Sequence, residues 1–167
     1  MRRVLVIALF TLVVVPASFA ALSAPGTLTV TANVTANCTV NNALLAFGGY
    51  DPTAVAALPG TAVLTVKCTK GLTPTLMLGQ GSNPGGGSTN AAPVRQMIGA
   101  APIEFMGYQL YQDVAHTIVW GNTVATGVGV APSIAGTAVT VFGLVPAAQN
   151  LTALNTFSDT VQAVVNF

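Results

Sequence analysis

Apolar and polar residues alternate along several short stretches of this chain, as they do in half-buried β-strands. After residue 20 no stretch keeps an apolar stripe at the 3.6-residue period of a helix, and Thr, Val, Gly, Pro and Asn are frequent. The pattern therefore predicts an all-β protein. The predicted strands cover residues 28–34, 63–66, 76–78, 105–111, 118–120, 137–144 and 160–167.

Clusters of Gly, Pro, Asn and Asp separate these runs and predict turns. They lie at residues 41–42, 48–52, 59–60, 79–88 and 127–129. Short strands with frequent turns are typical of a sandwich or barrel, and a total of roughly seven to nine strands favours an immunoglobulin-like Greek-key sandwich. No internal repeat or long linker divides the chain, so one domain is expected.

The first 20 residues have the pattern of a secretory signal peptide. Arg2 and Arg3 precede an apolar run over residues 4–15, and small residues at 18 and 20 suit cleavage after Ala20. The apolar run has about 12 residues, whereas a membrane-spanning helix needs about 20. The sequence therefore predicts export without a stable membrane anchor.

Few residues carry charge once this segment is removed. Three cations remain against four carboxylates, a net charge of −1, which excludes the basic stripe that a nucleic-acid-binding protein needs. Charged residues make up 5% of the chain, against roughly 25% in ordinary soluble domains. A surface so poor in charge is expected to be covered by copies of the same protein.

Cys38 and Cys68 are the two cysteines of the chain. In an exported protein an even pair predicts a disulfide, and two buried free thiols are the alternative. Because His116 is the single histidine, no tetrahedral zinc site can be completed. We expect no metal and no cofactor.

The two ends of the chain carry strand patterns that lack an obvious partner. The last run is apolar on one face and stops at the C-terminus, and the first run precedes Cys38. A segment such as 28–34 can complete its own sheet or that of another molecule. The apolar face of the last run consists of Val161, Ala163, Val165 and Phe167.

Short motifs in a fixed order run through nearly the whole chain after residue 20. They are residues 26–30, 37–40, 47–48 with 51–52, 66–69, 95–97, 108–113, 120–122 and 158–167. Together they resemble the spore coat protein U family, which includes the subunits of archaic, Csu-type chaperone–usher pili. Asn155 departs from the glycine that the family often has there, and an asparagine can still accept a left-handed turn.

The resemblance implies an incomplete immunoglobulin-like β-sandwich that lacks its last strand and is completed by a donor strand. It implies a signal peptide at 1–20, a donor extension at 21–35 and a pilin domain at 36–167. The implied partners are a periplasmic chaperone, an outer-membrane usher and other subunits, and the implied role is a pilus subunit in adhesion or biofilm formation. The donor residues would be Leu28, Val30, Ala32 and Val34. The last strand of the acceptor groove, which also binds the chaperone, would contribute Val161, Ala163, Val165 and Phe167.

Other functions remain open from the residues alone. One is a secreted carbohydrate-binding or spore-coat protein whose N-terminal strand completes its own fold. Asp113 and His116 suggest a hydrolase only weakly, since residues three apart on a strand point to opposite faces. The aromatic residues Tyr108, Tyr111 and Trp120 are expected in the core rather than on a sugar-binding platform, and residues 79–87 in a mobile surface loop rather than a phosphate cradle.

Overall fold

The computed structural model describes residues 23–152 and 155–167, and the chain divides into two units after Asn33. Residues 23–37 contain no helix or strand. The regular structure that is described consists of nine strands and one 3₁₀ turn at Val124–Thr126. The strands are β1 (Cys38–Val40), β2 (Leu58–Cys68), β3 (Thr75–Leu78), β4 (Arg95–Gly99), β5 (Phe105–Tyr111), β6 (Val128–Gly129), β7 (Thr137–Val145), β8 (Phe157–Ser158) and β9 (Ala163–Asn166).

The strands form two antiparallel sheets in residues 34–167. The larger sheet has the order β1-β2-β7-β5-β4-β8, and the smaller sheet has the order β6-β3-β9. Neighbouring strands are mostly not consecutive in sequence, because the chain crosses repeatedly from one sheet to the other. The predicted all-β, immunoglobulin-like sandwich is confirmed.

The alternation in the sequence determines which side chains enter the core. In β5, Met106, Tyr108 and Leu110 are buried, whereas their neighbours in the strand are more exposed. Trp120 is fully buried between the sheets, and its indole N–H donates to the Leu76 carbonyl oxygen at 3.0 Å. The remaining core consists mainly of Leu64, Val66, Leu76, Leu78, Val130, Val141 and Val145.

Pro59 and Gly60 were predicted to form a turn, but they lie within β2. β1 pairs only with residues 66–68 of β2, so the first part of β2 has a described neighbour, β7, on one side alone. Pro59 is tolerated there because an edge position does not require its missing N–H. The turn prediction was therefore wrong for these two residues.

The predicted strand at 118–120 is reduced to one isolated bridge between Tyr111 and Val119. The amide of Trp120 donates to the Leu110 carbonyl oxygen at 2.9 Å, and the chain then turns away. The segment 28–34 likewise forms no strand in the isolated chain. An extended segment without a neighbouring edge has no ladder to join.

The signal peptide predicted at 1–20 lies outside the described residues. Within the described ranges no helix has the length and apolar character needed to cross a bilayer. No group of three or more His, Cys, Asp or Glu side chains is placed to hold a metal ion in this part of the chain.

Candidate functional site

A large open groove runs along the sandwich of residues 34–167 and has a volume of about 1500 Å³. Its floor is the inner face of the larger sheet, where β2, β5 and β7 contribute apolar side chains. One rim is the segment 40–50, and the other consists of residues 155–163. The apolar residues of the floor include Leu58, Leu64, Met106, Leu110, Val141 and Val145.

Beyond its first residues, which still pair with β2, the first rim has the side-chain pattern of a strand but no strand partner in the described part of the chain. Leu45 and Phe47 are half-buried against the core, whereas Leu44 before them is 85% exposed and Ala46 between them is exposed as well. Within the described residues, no main-chain N–H or C=O of residues 43–50 takes part in a hydrogen bond. The backbone of residues 43–50 therefore remains free to pair, and Gly48, with a φ of +80°, interrupts an extended conformation there.

The second rim ends in β9, which is paired along one edge only. Its residues are matched with β3 from Leu78↔Ala163 to Thr75↔Asn166. The ladder is extended by the amide of Gly79, which donates to the Gln162 carbonyl oxygen at 2.8 Å. The opposite edge of β9 has no strand neighbour among the residues that the structure describes.

The predicted groove residues of the last strand occupy different places. Val161 and Ala163 line the groove, and Val165 packs against the core opposite Leu76. Phe167 departs from the predicted alternation, because β9 ends at Asn166 and the Phe167 side chain is 52% exposed. The role of all four residues in accepting a strand stays a prediction.

The predicted donor residues lie in the segment without regular structure. Leu28, Val30 and Val34 are more than four-fifths exposed, and Ala32 is exposed as well. The alternation that predicts a strand is therefore present in the sequence, while the strand itself is not formed in the isolated chain.

A polar cluster lies at the end of the groove formed by residues 79–82. The Tyr108 hydroxyl donates to Asp159 Oδ2 at 2.6 Å, and the Ser82 amide donates to Asp159 Oδ1 at 2.8 Å. Burial raises the pKa of the Tyr108 hydroxyl, and the hydrogen bond to Asp159 raises this pKa further. Gly81 has a φ of +86°, and a Cβ there would collide with the Asp159 carboxylate. Residues 79–87, predicted to be a mobile loop, are therefore anchored at several points.

Arg95 is 1% exposed and supports the same end of the groove from beneath. Its guanidinium donates to the carbonyl oxygens of Leu78 and Gly79 at 2.9 Å and to that of Trp120 at 2.7 Å. Burial lowers the pKa of this group to about 10. Because these three bonds satisfy carbonyls at the end of β3 or beside it, Arg95 fixes the point where residues 79–82 leave the sheet, and a further bond joins it to Gln109 Oε1.

The predicted disulfide between Cys38 and Cys68 is confirmed. The two residues lie opposite each other in the ladder of β1 and β2, so the bond attaches the three-residue β1 to a central part of the sandwich. The rim at 40–50 follows β1 directly. The disulfide therefore fixes where this rim begins.

The alternative sites predicted from sequence are not assembled. The Asp113 carboxylate accepts from Thr117 and Ile118 and makes no described hydrogen bond to the His116 ring, which packs edge-on against Tyr111. Trp120 and Tyr108 are buried, as expected for core residues. The side-chain oxygen of Asn155 accepts from the amides of Ala100 and Ala101.

Sequence reasoning missed the first rim and the polar cluster. The apolar positions of Leu45 and Phe47 were a usable signal, but the surrounding Asn and Gly residues indicated turns. The contact of Tyr108 with Asp159 joins residues that are 51 apart in the chain, and no local pattern indicates such a pair.

Comparison with known proteins gives both a family and a structural neighbour. The Spore Coat Protein U domain matches residues 24–164. Protein U of Myxococcus xanthus is 40% identical over 156 residues, which cover 88% of this chain and 87% of that protein.

A solved structure is similar in fold to this chain. It is the crystal structure of the CsuC–CsuE chaperone–tip adhesion subunit pre-assembly complex from archaic chaperone-usher Csu pili of Acinetobacter baumannii, with a TM-score of 0.53 and 17% identity. The similarity covers 80% of this chain but only 40% of the matched chain. At this identity the similarity concerns the fold.

Proposed function

The chain belongs to the Spore Coat Protein U domain family, and from this premise we propose that it is a structural subunit of a chaperone–usher surface pilus. In this proposal subunits polymerise by donor-strand exchange and serve adhesion or biofilm formation. The observation that carries the proposal is the apolar groove bordered by two backbone edges that lack a strand partner in the described residues.

A strand inserted between the two rims would satisfy both edges at once. It would pair with the free edge of β9 on one side and with residues 43–50 on the other, while alternate side chains enter the groove. The result would be one continuous sheet in which the inserted strand is central. Without it, the chain exposes an apolar surface and unpaired backbone, a combination that favours association.

The segment proposed to fill the groove is the extension of another copy. Leu28, Val30, Ala32 and Val34 share one face of an extended chain, and their exposure leaves them available. Full burial of each larger aliphatic side chain stabilises the complex by about 1.5–3 kcal/mol, and burial of Ala32 by less. Thr29, Thr31 and Asn33 would alternate to the other face.

Export and assembly partners complete the proposal. Residues 1–20 act as the signal peptide, 21–35 as the donor extension and 36–167 as the pilin domain. The disulfide fits an oxidising compartment such as the periplasm. A periplasmic chaperone would cover the groove until an outer-membrane usher exchanges it for the next subunit, and the fibre would lie at the cell surface. We assign no catalytic activity to the chain.

The experiment compares two aspartate substitutions on opposite faces of the donor segment in the whole exported chain, co-expressed with a chaperone. Val30→Asp places a charge on the face that enters the groove, and Thr31→Asp places the same charge on the other face. Strand exchange should give polymers that resist SDS and appear as a ladder of bands on a gel. We expect Val30→Asp to abolish these SDS-resistant polymers and Thr31→Asp to retain them. Ladders of normal length with Val30→Asp would show that the donor face is assigned wrongly.

The words 'spore coat' in the family description favour a second candidate, an exported spore-coat protein. In this alternative, as in its carbohydrate-binding form, the N-terminal strand would complete its own fold. Size-exclusion chromatography of the chain expressed without a chaperone separates the two. A soluble, stable monomer that forms no ladders would support the second candidate, whereas recovery that depends on a chaperone supports the pilus subunit.

A further inference from the structure

Tyr108 and Asp159 join two segments that line the groove. Tyr108 belongs to β5 of the larger sheet, and Asp159 lies in the connection between β8, which ends at Ser158 in the larger sheet, and β9, which begins at Ala163 in the smaller sheet. Their 2.6 Å hydrogen bond lies in the wall of the groove, since both residues line it. Tyr108 is 7% exposed, so this polar contact is made in a largely apolar setting, where an unpaired hydroxyl would be costly.

Asp159 also holds the neighbouring wall. Its Oδ1 accepts from the amides of Ser82 and Thr160, each at 2.8 Å, and the Ser82 hydroxyl donates to the Thr160 carbonyl oxygen at 3.2 Å. Arg95 fixes the carbonyls of Leu78 and Gly79 at the start of the same segment. Residues 79–82 are thus fastened at both ends in the chain without any inserted strand.

We propose that Tyr108 and Asp159 are positioning residues that fix the width of the groove at this end, so that the groove selects one register of the inserted strand. The inference rests on the proposed function and deepens it. A strand that slides by two residues keeps its apolar face toward the groove, so hydrophobicity alone cannot specify the register. Pockets of fixed size along the groove can specify the register, because each accepts a side chain of one size.

The side chains on the apolar face of the donor segment differ in size, and a groove of fixed width would distinguish them. Its apolar face has larger residues at 28, 30 and 34 and the small Ala32. A slide by two residues would place Val30 where Ala32 belongs or Ala32 where a larger residue belongs. A fixed wall makes the first arrangement clash and leaves a void in the second, whereas a loosened wall can adjust to both.

The test measures binding of two peptides to the whole chain from residue 21, carrying Val30→Asp so that it cannot donate its own strand. One peptide has the sequence of residues 24–36, and the other has the same composition with Val30→Ala and Ala32→Val. We expect the unsubstituted groove to prefer the first peptide by about tenfold or more, because single methylene mismatches in apolar pockets discriminate by roughly 10- to 200-fold.

Tyr108→Phe removes the hydroxyl oxygen and Asp159→Ala removes the carboxylate. In both variants we expect the two peptides to bind with nearly equal affinity. Asp159→Asn retains an oxygen for the Ser82 amide and an amide that can donate to the Tyr108 hydroxyl, so the preference should be preserved. Tyr111→Phe is the matched control, since Tyr111 lies in the same strand but does not line the groove. A merely structural role would lower the melting temperature and leave the preference unchanged.

The results separate this inference from the function on which it rests. Equal binding of both peptides to the unsubstituted groove, or a preference that survives in Tyr108→Phe and Asp159→Ala, overturns the role of these two residues while strand binding stands. If the native peptide does not bind the unsubstituted groove at all, the proposed function fails and the inference fails with it.

Discussion

Gly60 of β2 and Gly143 of β7 lie directly opposite each other in the antiparallel ladder, and the ring of Phe47 packs over both. A Cβ at Gly60 would be 2.9 Å from Phe47 Cδ1, and a Cβ at Gly143 would be 2.8 Å from Phe47 Cζ. The ring therefore lies on bare backbone. This contact brings the rim at 40–50 down onto the floor of the groove.

Replacing Gly143 by Ala should displace Phe47 and lower the free energy of unfolding by about 1–3 kcal/mol, the usual effect of an added methyl group in a packed site. Gly129→Ala in β6 is the control, because a Cβ there meets nothing within 4 Å. Urea unfolding of both variants checks the prediction. Phe47→Leu added to Gly143→Ala should recover part of the loss, and equal stability of Gly143→Ala and Gly129→Ala would contradict the packing argument.

Removing the disulfide should destabilise the domain without changing its fold class. The bond joins residues 30 apart, and closure of a loop of this length stabilises a fold by about 3–4 kcal/mol on the chain-entropy model. Urea unfolding of the Cys38→Ala, Cys68→Ala double variant measures the loss. The unsubstituted chain in reducing agent serves as the control and should unfold at nearly the same midpoint as the double variant. A midpoint equal to that of the oxidised chain would show that the bond adds nothing.

Arg95→Met should lower the free energy of unfolding by about 3 kcal/mol or more. The buried carbonyl oxygens of Leu78, Gly79 and Trp120 would lose their hydrogen-bond donor. Unfolding followed by Trp120 fluorescence provides the measurement. Lys67→Met removes an exposed cation from β2 and is expected to change stability by less than about 0.5 kcal/mol. Similar losses in the two variants would mean that the guanidinium is not needed in the core.

Acid should destabilise the domain partly through Asp113. Its pKa is lowered below the ordinary value of 3.8, mainly because the Ile118 amide donates to the carboxylate. A group with a lowered folded-state pKa stabilises above its unfolded pKa and loses this contribution as the pH falls. Asp113→Asn should therefore narrow the difference in stability between pH 6 and about pH 2. Measuring the free energy of unfolding of both proteins across this pH range tests the prediction. The same pH dependence in the variant and in the unsubstituted chain would contradict it. Asp51 and Glu104 titrate in both proteins, so the comparison isolates Asp113.

The sequence predicted strands best where alternation and burial agree. Residues 105–111 were predicted as a strand and form β5 with the same bounds, and residues 137–144 form β7 with one more residue. β4 was missed because its two buried residues are Arg95 and Gly99 rather than alternating apolar side chains, and the burial of Arg95 depends on carbonyls from other parts of the chain. Alternation reports which side chains are apolar, but it contains no information on such distant partners.

The sequence indicated only one edge of the groove. Val161 and Ala163 of the predicted last strand line the groove, and their role in accepting a strand stays a prediction. The opposite rim was missed because a strand without a partner resembles a loop in sequence.

Gly60 was interpreted as a turn residue. In the structure Gly60 leaves space for the ring of Phe47, a residue 13 positions earlier, and such a steric requirement is visible only once the strands are paired.

The bond between Cys38 and Cys68 also determines how the domain would bear tension. A pull on residues 28–34 reaches the sandwich first at Thr35 and Asn37, which are hydrogen-bonded to Thr69, and then at Cys38, the start of a strand that makes a ladder of only three residues. The disulfide passes the load covalently to β2, which is matched with β7 from Leu58↔Val145 to Val66↔Thr137. The oxidised chain would therefore resist stretching through the longest of the described ladders, and the reduced chain through the three-residue ladder of β1.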